Sequence, residues 1–241
     1  FKAPGFQPLR RSLELIESLV NNRVNNGQEE LSTLDAHDIV CHIADAVLSG
    51  GIRRSALICL FDKDDDLMLK CKTGNWFYDN AQRGRANNSI KLLKTDLTKE
   101  EFDNYKESIK QFGEPGIVLV DDIDFCTNPC AEIGFIPVNP KTGNSCISFC
   151  NLNEINGGLC NTPAKFYEAC RNASILGTLQ ASYTNMPFLG IDTEELINEE
   201  ALIGVSITGI MDNPKVLLSP EVLRKGAEIV NQVNEEVAKI I

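Results

Sequence analysis

The sequence predicts an α/β fold with a mainly parallel sheet, because short apolar segments alternate with longer segments of helical pattern. The clearest apolar segments are residues 55–61, 116–120 and 202–208. Residues 99–112 and the segment from Pro220 onward have the pattern of amphipathic helices. With 241 residues, of which 43% are hydrophobic, the chain can bury a core as one large domain or two small ones.

Two helices are predicted before the first strand. Pro8 lies in the first turn of a helix that continues through Val20, because the first turn is where a helix tolerates proline. After a polar stretch, Thr33 or Asp35 can cap a second helix, which ends at Gly50-Gly51. The next predicted elements are a strand at 55–61, a helix at 62–72 and an irregular loop at 75–89.

The second half of the chain is predicted to continue the alternation after one long irregular segment. This segment, residues 121–145, is predicted to be a loop that contains several cysteines. The elements predicted after it are a strand at 147–152, a helix at 164–184, a strand at 202–208 and a final helix from Pro220.

The composition argues against several classes of partner. A net charge of −11 makes a nucleic-acid-binding surface improbable, and no apolar run is long enough to cross a bilayer. Nine cysteines, an odd number, suit a reducing compartment better than a disulfide scaffold, so we expect a cytoplasmic protein. Because the chain begins with Phe1 and ends within a helical pattern, we expect it to be a piece of a larger protein.

The segment Asn128-Pro129-Cys130-Ala131-Glu132 is the strongest candidate for a reaction centre. It places an amide, a thiol and a carboxyl at alternate positions. If the segment is extended, these three side chains share one face, since successive side chains of an extended chain point to opposite sides. Pro129 disfavours both a helix interior and a central strand, which favours a loop. The alternative interpretation is a buried structural cysteine beside a turn.

Four cysteines are spaced so that a zinc site is a competing interpretation. They form two C-x3-C pairs, Cys126 with Cys130 and Cys146 with Cys150. Structural zinc sites more often use tighter spacings such as C-x2-C, and a zinc module leaves Glu132 without a role. We therefore expect no metal bound directly by this chain.

Two polar segments contain possible ligand-binding groups. Gly50-Gly51 precedes Arg53 and Arg54, which suits a phosphate, although paired glycines also simply end helices. The segment 83–89 is rich in hydrogen-bond donors, contributed by Arg83, Arg85, Asn87 and Asn88. The alternative for this segment is a solvated surface loop.

Taken in order, these segments resemble the large catalytic chain of ribonucleotide reductases. The Arg-Arg-Ser, Ala-Asn-Asn-Ser and Asn-Pro-Cys variants are most similar to the adenosylcobalamin-dependent class II enzymes, in particular the ribonucleoside-triphosphate reductases. Glu132 disfavours the glycyl-radical class, which lacks this acid. The matching segments are Asp35-Ala36-His37-Asp38-Ile39, Gly51-Ile52-Arg53-Arg54-Ser55-Ala56, Arg85-Ala86-Asn87-Asn88-Ser89, Gly113-Glu114-Pro115-Gly116-Ile117-Val118, Thr127-Asn128-Pro129-Cys130-Ala131-Glu132, Cys150-Asn151-Leu152 and Ile203-Gly204-Val205-Ser206-Ile207-Thr208-Gly209-Ile210.

The resemblance implies that residues 1–241 are a central fragment of a ten-stranded α/β barrel. Residues 121–145 would be its central finger loop, with Cys130 at the tip as the thiyl radical. Glu132 would be the general base and Asn128 would orient the substrate sugar. Cys150 would be the second cysteine of the reducing pair, with Cys146 as a minor rival, and the first cysteine of the pair would lie outside the chain.

The resemblance also implies binding sites and partners. Gly50, Gly51 and Thr127 would contact the substrate with Asn128, and the donors at Arg83, Arg85, Asn87 and Asn88 would form the specificity loop. Expected partners are a ribonucleoside di- or triphosphate, deoxynucleotide effectors, a dithiol reductant such as thioredoxin, and the remaining parts of the enzyme. Adenosylcobalamin is the expected cofactor. Because the redox partner of Cys150 and the phosphate-binding turns would lie outside the chain, the isolated chain is expected to be inactive. The alternative within the family is a class I enzyme, whose radical comes from an iron-carrying subunit.

Overall fold

A parallel sheet with helices packed against it organises the first of two compact units. The computed structural model describes residues 5–47, 55–131 and 133–241. The chain divides after Gly134 into a first unit and a second unit that begins at Phe135. Each unit is described by itself.

The first unit contains five helices and four strands within its described part, and a fifth strand crosses its boundary. In chain order these are α1 Gln7–Asn25, α2 Thr33–Ala46, β1 Leu57–Phe61, α3 Asp66–Lys70, α4 Trp76–Asp79, β2 Ala86–Leu93, α5 Lys99–Phe112, β3 Gly116–Val120, β4 Cys126–Thr127 and β5 Gly134–Phe135. A short 3-10 helix, Ala81–Arg85, leads directly into β2.

Strand β2 is central in this sheet and pairs in parallel with β1 on one side and β3 on the other. Leu57 lies opposite Ala86, and Ser89 lies opposite Gly116. Ile90 and Leu92 of β2 are buried in a core with Phe61 and other apolar side chains of the unit. Parallel strands need helical connections, which α3, α4 and α5 supply.

Local capping signals explain where two of the helices begin. Ser32 accepts a hydrogen bond from the Asp35 N–H, and the Asp35 side chain accepts one from the Ser32 N–H, which is a complete capping box. Ser32 is thus the N-cap of α2, with Asp35 as its reciprocal partner, whereas the sequence predicted Thr33 or Asp35. Thr98 and Glu101 form the same box at the start of α5.

The second unit is built on two parallel strands covered by two long helices. Its elements are β6 Asn151–Asn156, α6 Pro163–Ala181, α7 Ile191–Glu200, β7 Ile203–Thr208, α8 Pro214–Leu217 and α9 Pro220–Ala238. β6 and β7 pair in parallel, with Asn151 opposite Ile203. Phe166 of α6 is buried against the strands, α8 and α9, so an apolar core lies between the sheet and the helices.

The predicted α/β fold with parallel strands is confirmed, but several element boundaries are wrong. Residues 86–89 belong to strand β2, although the sequence predicted a loop there. The strand predicted at 147–152 lies four residues later, because Ile147 and Ser148 instead bond Thr193 and Glu200 of α7. The helix predicted at 62–72 is reduced to α3, and α7 was not predicted.

The predicted loop 121–145 is not one irregular segment. It contains two turns, and the chain on either side of each turn is paired. Strands β4 and β5 pair around Cys130, and further along Val138 and Ser145 form an antiparallel bridge. Asn139 in the second turn is fully buried and donates to Asp192 and Glu195 of α7. This second turn is therefore held within the second unit by buried hydrogen bonds.

Across the described part of the chain, no helix has both the length and the apolar character required to span a membrane.

Candidate functional site

Cys130 lies in a hydrogen-bonded turn between strands β4 and β5. The Ala131 N–H donates to the Asn128 carbonyl at 2.9 Å, which closes a β-turn with Pro129 and Cys130 at its centre. Pro129 suits its position because its fixed φ matches the first central residue of such a turn. Ala131 has a φ of 61° and so continues the turn in the left-handed region. The thiol of Cys130 is free and exposed.

The turn is stiffened by a side chain that the sequence assigned to substrate binding. The Asn128 Oδ1 accepts a hydrogen bond from the Ile133 N–H at 3.1 Å, and the Asn128 N–H donates to the Ile133 carbonyl at 3.2 Å. The loop predicted from Pro129 is present as this turn, and residues 128–131 are not extended, so the condition for Asn128 and Cys130 to share one face is not met. Within the described chain, the Asn128 Nδ2 has no hydrogen-bond partner and stays available to a ligand.

Thr127, the other predicted substrate contact, is 9% exposed at the end of β4. Its Oγ1 is buried without a hydrogen-bond partner among the described residues. A buried unpaired hydroxyl is costly, so this oxygen is a candidate for pairing with a group that is added to the site.

Strand β2 contacts the Cys130 segment, which is β4, β5, the turn between them and the residues just before β4, at two points. The Asn87 Nδ2 donates to the Pro129 carbonyl at 2.9 Å, at the centre of the turn. The Lys91 Nζ donates to the Ile123 carbonyl, near the base of the same segment. Asn87 and Lys91 are four residues apart on a strand, so they lie on the same face of β2. One face of the central strand thus anchors both the base and the tip of the Cys130 segment.

Arg83 forms a buried ion pair and does not present its guanidinium to solvent. Its Nε and Nη2 donate to the two carboxylate oxygens of Asp38 at 2.8 and 2.7 Å, and its Nη1 donates to the Cys71 carbonyl at 2.8 Å. Burial raises the pKa of Asp38, but the hydrogen bonds and positive charge of Arg83 outweigh it and hold this pKa well below its ordinary value. Arg83 therefore ties the segment before β2 to α2.

Asn88 is only 2% exposed and belongs to a buried polar chain. Its Oδ1 lies 3.0 Å from the His37 Nε2, and its Nδ2 donates to the Cys71 Sγ at 3.0 Å. Burial raises the pKa of the Cys71 thiol, while the hydrogen bond from Asn88 partly offsets this. On the other side of His37, burial raises the pKa of Cys41 to about 12. These thiols are protonated near neutral pH and are structural.

Arg85 is the most accessible arginine of the predicted specificity segment, with its side chain 35% exposed. Its Nε donates to the Asp45 carboxylate. The two residues line a polar cavity of about 550 Å³ together with Arg11, His42 and side chains from the first turns of α1. Burial lowers the pKa of His42, so its imidazole is neutral near pH 7. Arg85 and Asn87 are thus the two predicted donors that face accessible space.

Cys150, in the second unit, is half-buried directly before strand β6. The next residue, Asn151, donates from both its N–H and its Nδ2 to the Leu202 carbonyl at 3.0 Å, which fixes the start of the strand. Cys146 is also half-buried, and burial raises the pKa of its thiol.

Three of the predicted site residues lie outside the described residues, namely Gly50, Gly51 and Glu132.

The chain is similar in sequence to known reductases. The chain is 30% identical to the adenosylcobalamin-dependent ribonucleoside-triphosphate reductase of Lactobacillus acidophilus and 28% identical to that of Lactobacillus leichmannii. It is 28% identical to the same reductase from Lactobacillus delbrueckii subsp. bulgaricus. Each similarity covers 87% of this chain. The chain resembles a segment of these reductases.

The similarity covers only part of the reductases themselves, since the matched region is 28% of the length of each. No protein-family model matches the chain. No solved structure matches it either. The resemblance to adenosylcobalamin-dependent ribonucleoside-triphosphate reductases therefore stands on sequence similarity to the named relatives.

The sequence analysis did not predict two contacts that organise this site. Asp38 lies in a segment that the resemblance includes, but its pairing with Arg83 joins residues 45 positions apart. The Pro129 carbonyl was missed because a backbone acceptor carries no signal in a residue pattern. Only the juxtaposition of β2 and the turn makes it a partner of Asn87.

The zinc interpretation gains no support from the arrangement of possible ligands. Among residues 5–47, 55–131 and 133–241, no group of three or more His, Cys, Asp or Glu side chains is arranged to hold a metal ion. Cys126 and Cys130 also differ in environment, because the first is half-buried in a strand and the second is exposed in the turn.

Proposed function

We propose that this chain is part of the catalytic subunit of a ribonucleotide reductase and contributes the radical-carrying cysteine, Cys130. The observation that carries the proposal is the exposed thiol of Cys130 on an anchored turn, in a chain similar to named reductases. The same proposal includes a surrounding barrel of ten strands and a cytoplasmic location. It also includes regulation by deoxynucleotide effectors and reduction by an external dithiol.

Removal of a hydrogen atom from a ribose carbon requires a radical, because this hydrogen is not acidic. A sulfur radical suits the step, since S–H and activated C–H bonds have similar strengths. Cys130 fits this role because its thiol is exposed, so both a radical source and a substrate have access to it. Adenosylcobalamin, for which the relatives are named, supplies the radical chemistry when bound. The names of these relatives favour it over the iron-carrying subunit of class I enzymes.

We assign supporting roles to polar groups near the thiol. The Asn128 Nδ2, which has no partner among the described side chains and backbone, is proposed to bind a sugar hydroxyl. Thr127 stays a proposed substrate contact by resemblance alone, because its Oγ1 is buried. Glu132, two positions beyond Cys130 in the sequence, is proposed as the base that takes a hydroxyl proton. Cys150 is proposed to donate electrons as one of a pair of cysteines that becomes a disulfide.

We propose that Arg85 selects the nucleotide and that the substrate is a ribonucleoside di- or triphosphate. Arg83, Asn87 and Asn88 are not assigned this role, because their side chains are committed to contacts within the chain. Gly50 and Gly51 remain proposed substrate contacts by resemblance alone.

Replacement of Cys130 in the full-length protein that contains this chain tests the proposal. Cys130→Ser is expected to abolish deoxynucleotide formation, because an oxygen-centred radical is far harder to form than a thiyl radical. Cys126→Ser is the matched control, since Cys126 lies in the same hairpin and has no proposed role. Glu132→Gln is expected to lower turnover by about 10²–10⁴-fold, as loss of a general base does.

Each result has a clear reading. Near-normal turnover in Cys130→Ser would overturn the proposal. Equal losses in Cys126→Ser and Cys130→Ser, with about one tightly bound zinc ion lost from each variant, would instead support the zinc module.

A further inference from the structure

We infer that Asn87 is a positioning residue that sets the direction of the Cys130 thiol. The Asn87 Nδ2 donates to the Pro129 carbonyl at 2.9 Å. This carbonyl belongs to the peptide group that joins Pro129 to Cys130. It is therefore the one peptide group whose rotation reorients Cys130 while the ends of the turn stay in place.

The geometry of β-turns explains why this peptide matters. The two commonest turn types differ mainly by a flip of the peptide between the two central residues. In the turn from Asn128 to Ala131, this is the Pro129–Cys130 peptide, and a flip changes the φ of Cys130. Among the described non-glycine residues only Ala131 and Ala201 have positive φ, so Cys130 is in the unflipped state. The hydrogen bond from Asn87 holds the peptide in this state.

The turn's other hydrogen bonds do not replace this contact. The bonds from Ala131 to Asn128 and between Asn128 and Ile133 close the hairpin but leave the Pro129 carbonyl free to rotate. Asn87 lies on the central strand of the sheet and pairs with Ile58 of β1, so the sheet fixes the position of its backbone. The direction of the thiol is thus set by the sheet through a single side-chain amide.

The test compares Asn87→Asp with Asn104→Asp in the chain of 241 residues. The Asn87→Asp substitution keeps the shape of the side chain but replaces the donor with an oxygen that repels the Pro129 carbonyl. Asn104 is an exposed residue of α5 whose side chain makes no hydrogen bond to the described chain, so its variant controls for the added charge. Backbone amide exchange at Ala131 and Ile133 reports opening of the turn, and alkylation of Cys130 by iodoacetamide reports access to the thiol.

Asn87→Asp is expected to raise amide exchange at Ala131 and Ile133 by about fivefold or more, as loss of one hydrogen bond does. The alkylation rate of Cys130 is expected to change while that of Cys126 stays constant. Asn104→Asp is expected to leave both rates unchanged. Unchanged exchange and alkylation in Asn87→Asp would overturn the inference.

The catalytic consequence rests on the proposed function and is measured separately. In the full-length protein, Asn87→Asp is expected to lower kcat by about tenfold or more with little change in KM, because it misdirects the thiol without removing a substrate contact. A raised KM with an unchanged kcat would show that Asn87 binds substrate instead. If Cys130→Ser is active but the exchange result holds, the proposed function fails while the positioning role stands.

Discussion

Arg83 and Asp38 form a two-pronged ion pair, with N···O distances of 2.8 and 2.7 Å. Their side chains are only 11% and 10% exposed. The pair connects the segment before the central strand β2 to helix α2, across 45 positions of the sequence. An arginine in a donor-rich segment is therefore part of the scaffold, whereas Arg85, two residues later, lines an accessible cavity.

Replacement of Arg83 is expected to destabilise the first unit strongly. Arg83→Ala leaves the buried Asp38 carboxylate without its partner, and breaking such a pair costs about 3–5 kcal/mol. Arg83→Lys keeps the charge but loses the forked geometry, so a smaller loss is expected. Urea denaturation measures both free energies of unfolding. A loss below about 1 kcal/mol for Arg83→Ala, the range of surface ion pairs, would show that the pair is not buried in solution.

The stability of the protein is expected to depend on pH through Asp38. Its pKa in the folded state lies well below the ordinary value of 3.8, because Arg83 outweighs the effect of burial. A carboxyl with a lowered pKa stabilises the fold fully above its unfolded pKa, and this contribution is lost as the pH falls toward the folded pKa. The difference in free energy of unfolding between wild type and Asp38→Asn should stay constant from about pH 7 to about pH 5 and change below about pH 4. A difference that is constant down to about pH 2 would contradict the lowered pKa.

The neighbours Asn87 and Asn88 are expected to differ in their response to replacement by alanine. Asn88→Ala removes the hydrogen bonds of Asn88 to the His37 Nε2 and to the Cys71 Sγ in the core, which costs about 1–3 kcal/mol. Asn87→Ala removes an exposed contact and is expected to change stability by less than about 0.5 kcal/mol. Thermal or urea denaturation of the two variants checks this contrast. Equal losses of unfolding free energy in the two variants would contradict the difference in burial between Asn87 and Asn88.

Arg85 is expected to affect which nucleotide is reduced. In the full-length protein, Arg85→Ala should change the ratio of the four deoxynucleotide products under each effector, because its guanidinium lines the accessible polar cavity. Arg10→Ala, which removes an exposed arginine of α1, serves as the control and should leave the ratios unchanged. Product ratios are measured by chromatography. An equal loss for all four nucleotides would place Arg85 in the catalytic machinery instead.

Elements with strong local signals were predicted closely from the sequence. The helix predicted at 99–112 is α5, which begins at the Thr98 capping box and ends before Gly113 at a φ of 74°. The strand predicted at 116–120 is β3. Strand β2 was missed because its first residues are polar, and their place in a strand depends on pairing with β1, which is distant in the sequence.

The sequence by itself determined the composition of the site, namely a loop that contains Pro129 and Cys130 and a donor-rich segment before it, and it also determined the parallel α/β architecture. It did not determine which donors are available. Side chains of a strand alternate between its two faces, and which face of β2 is buried is decided by the helices and loops that pack against it. That choice turns Asn88 into the core and Asn87 toward the Pro129 carbonyl. Tertiary structure alone assigns their roles, because contacts between distant residues depend on how the strands and helices pack.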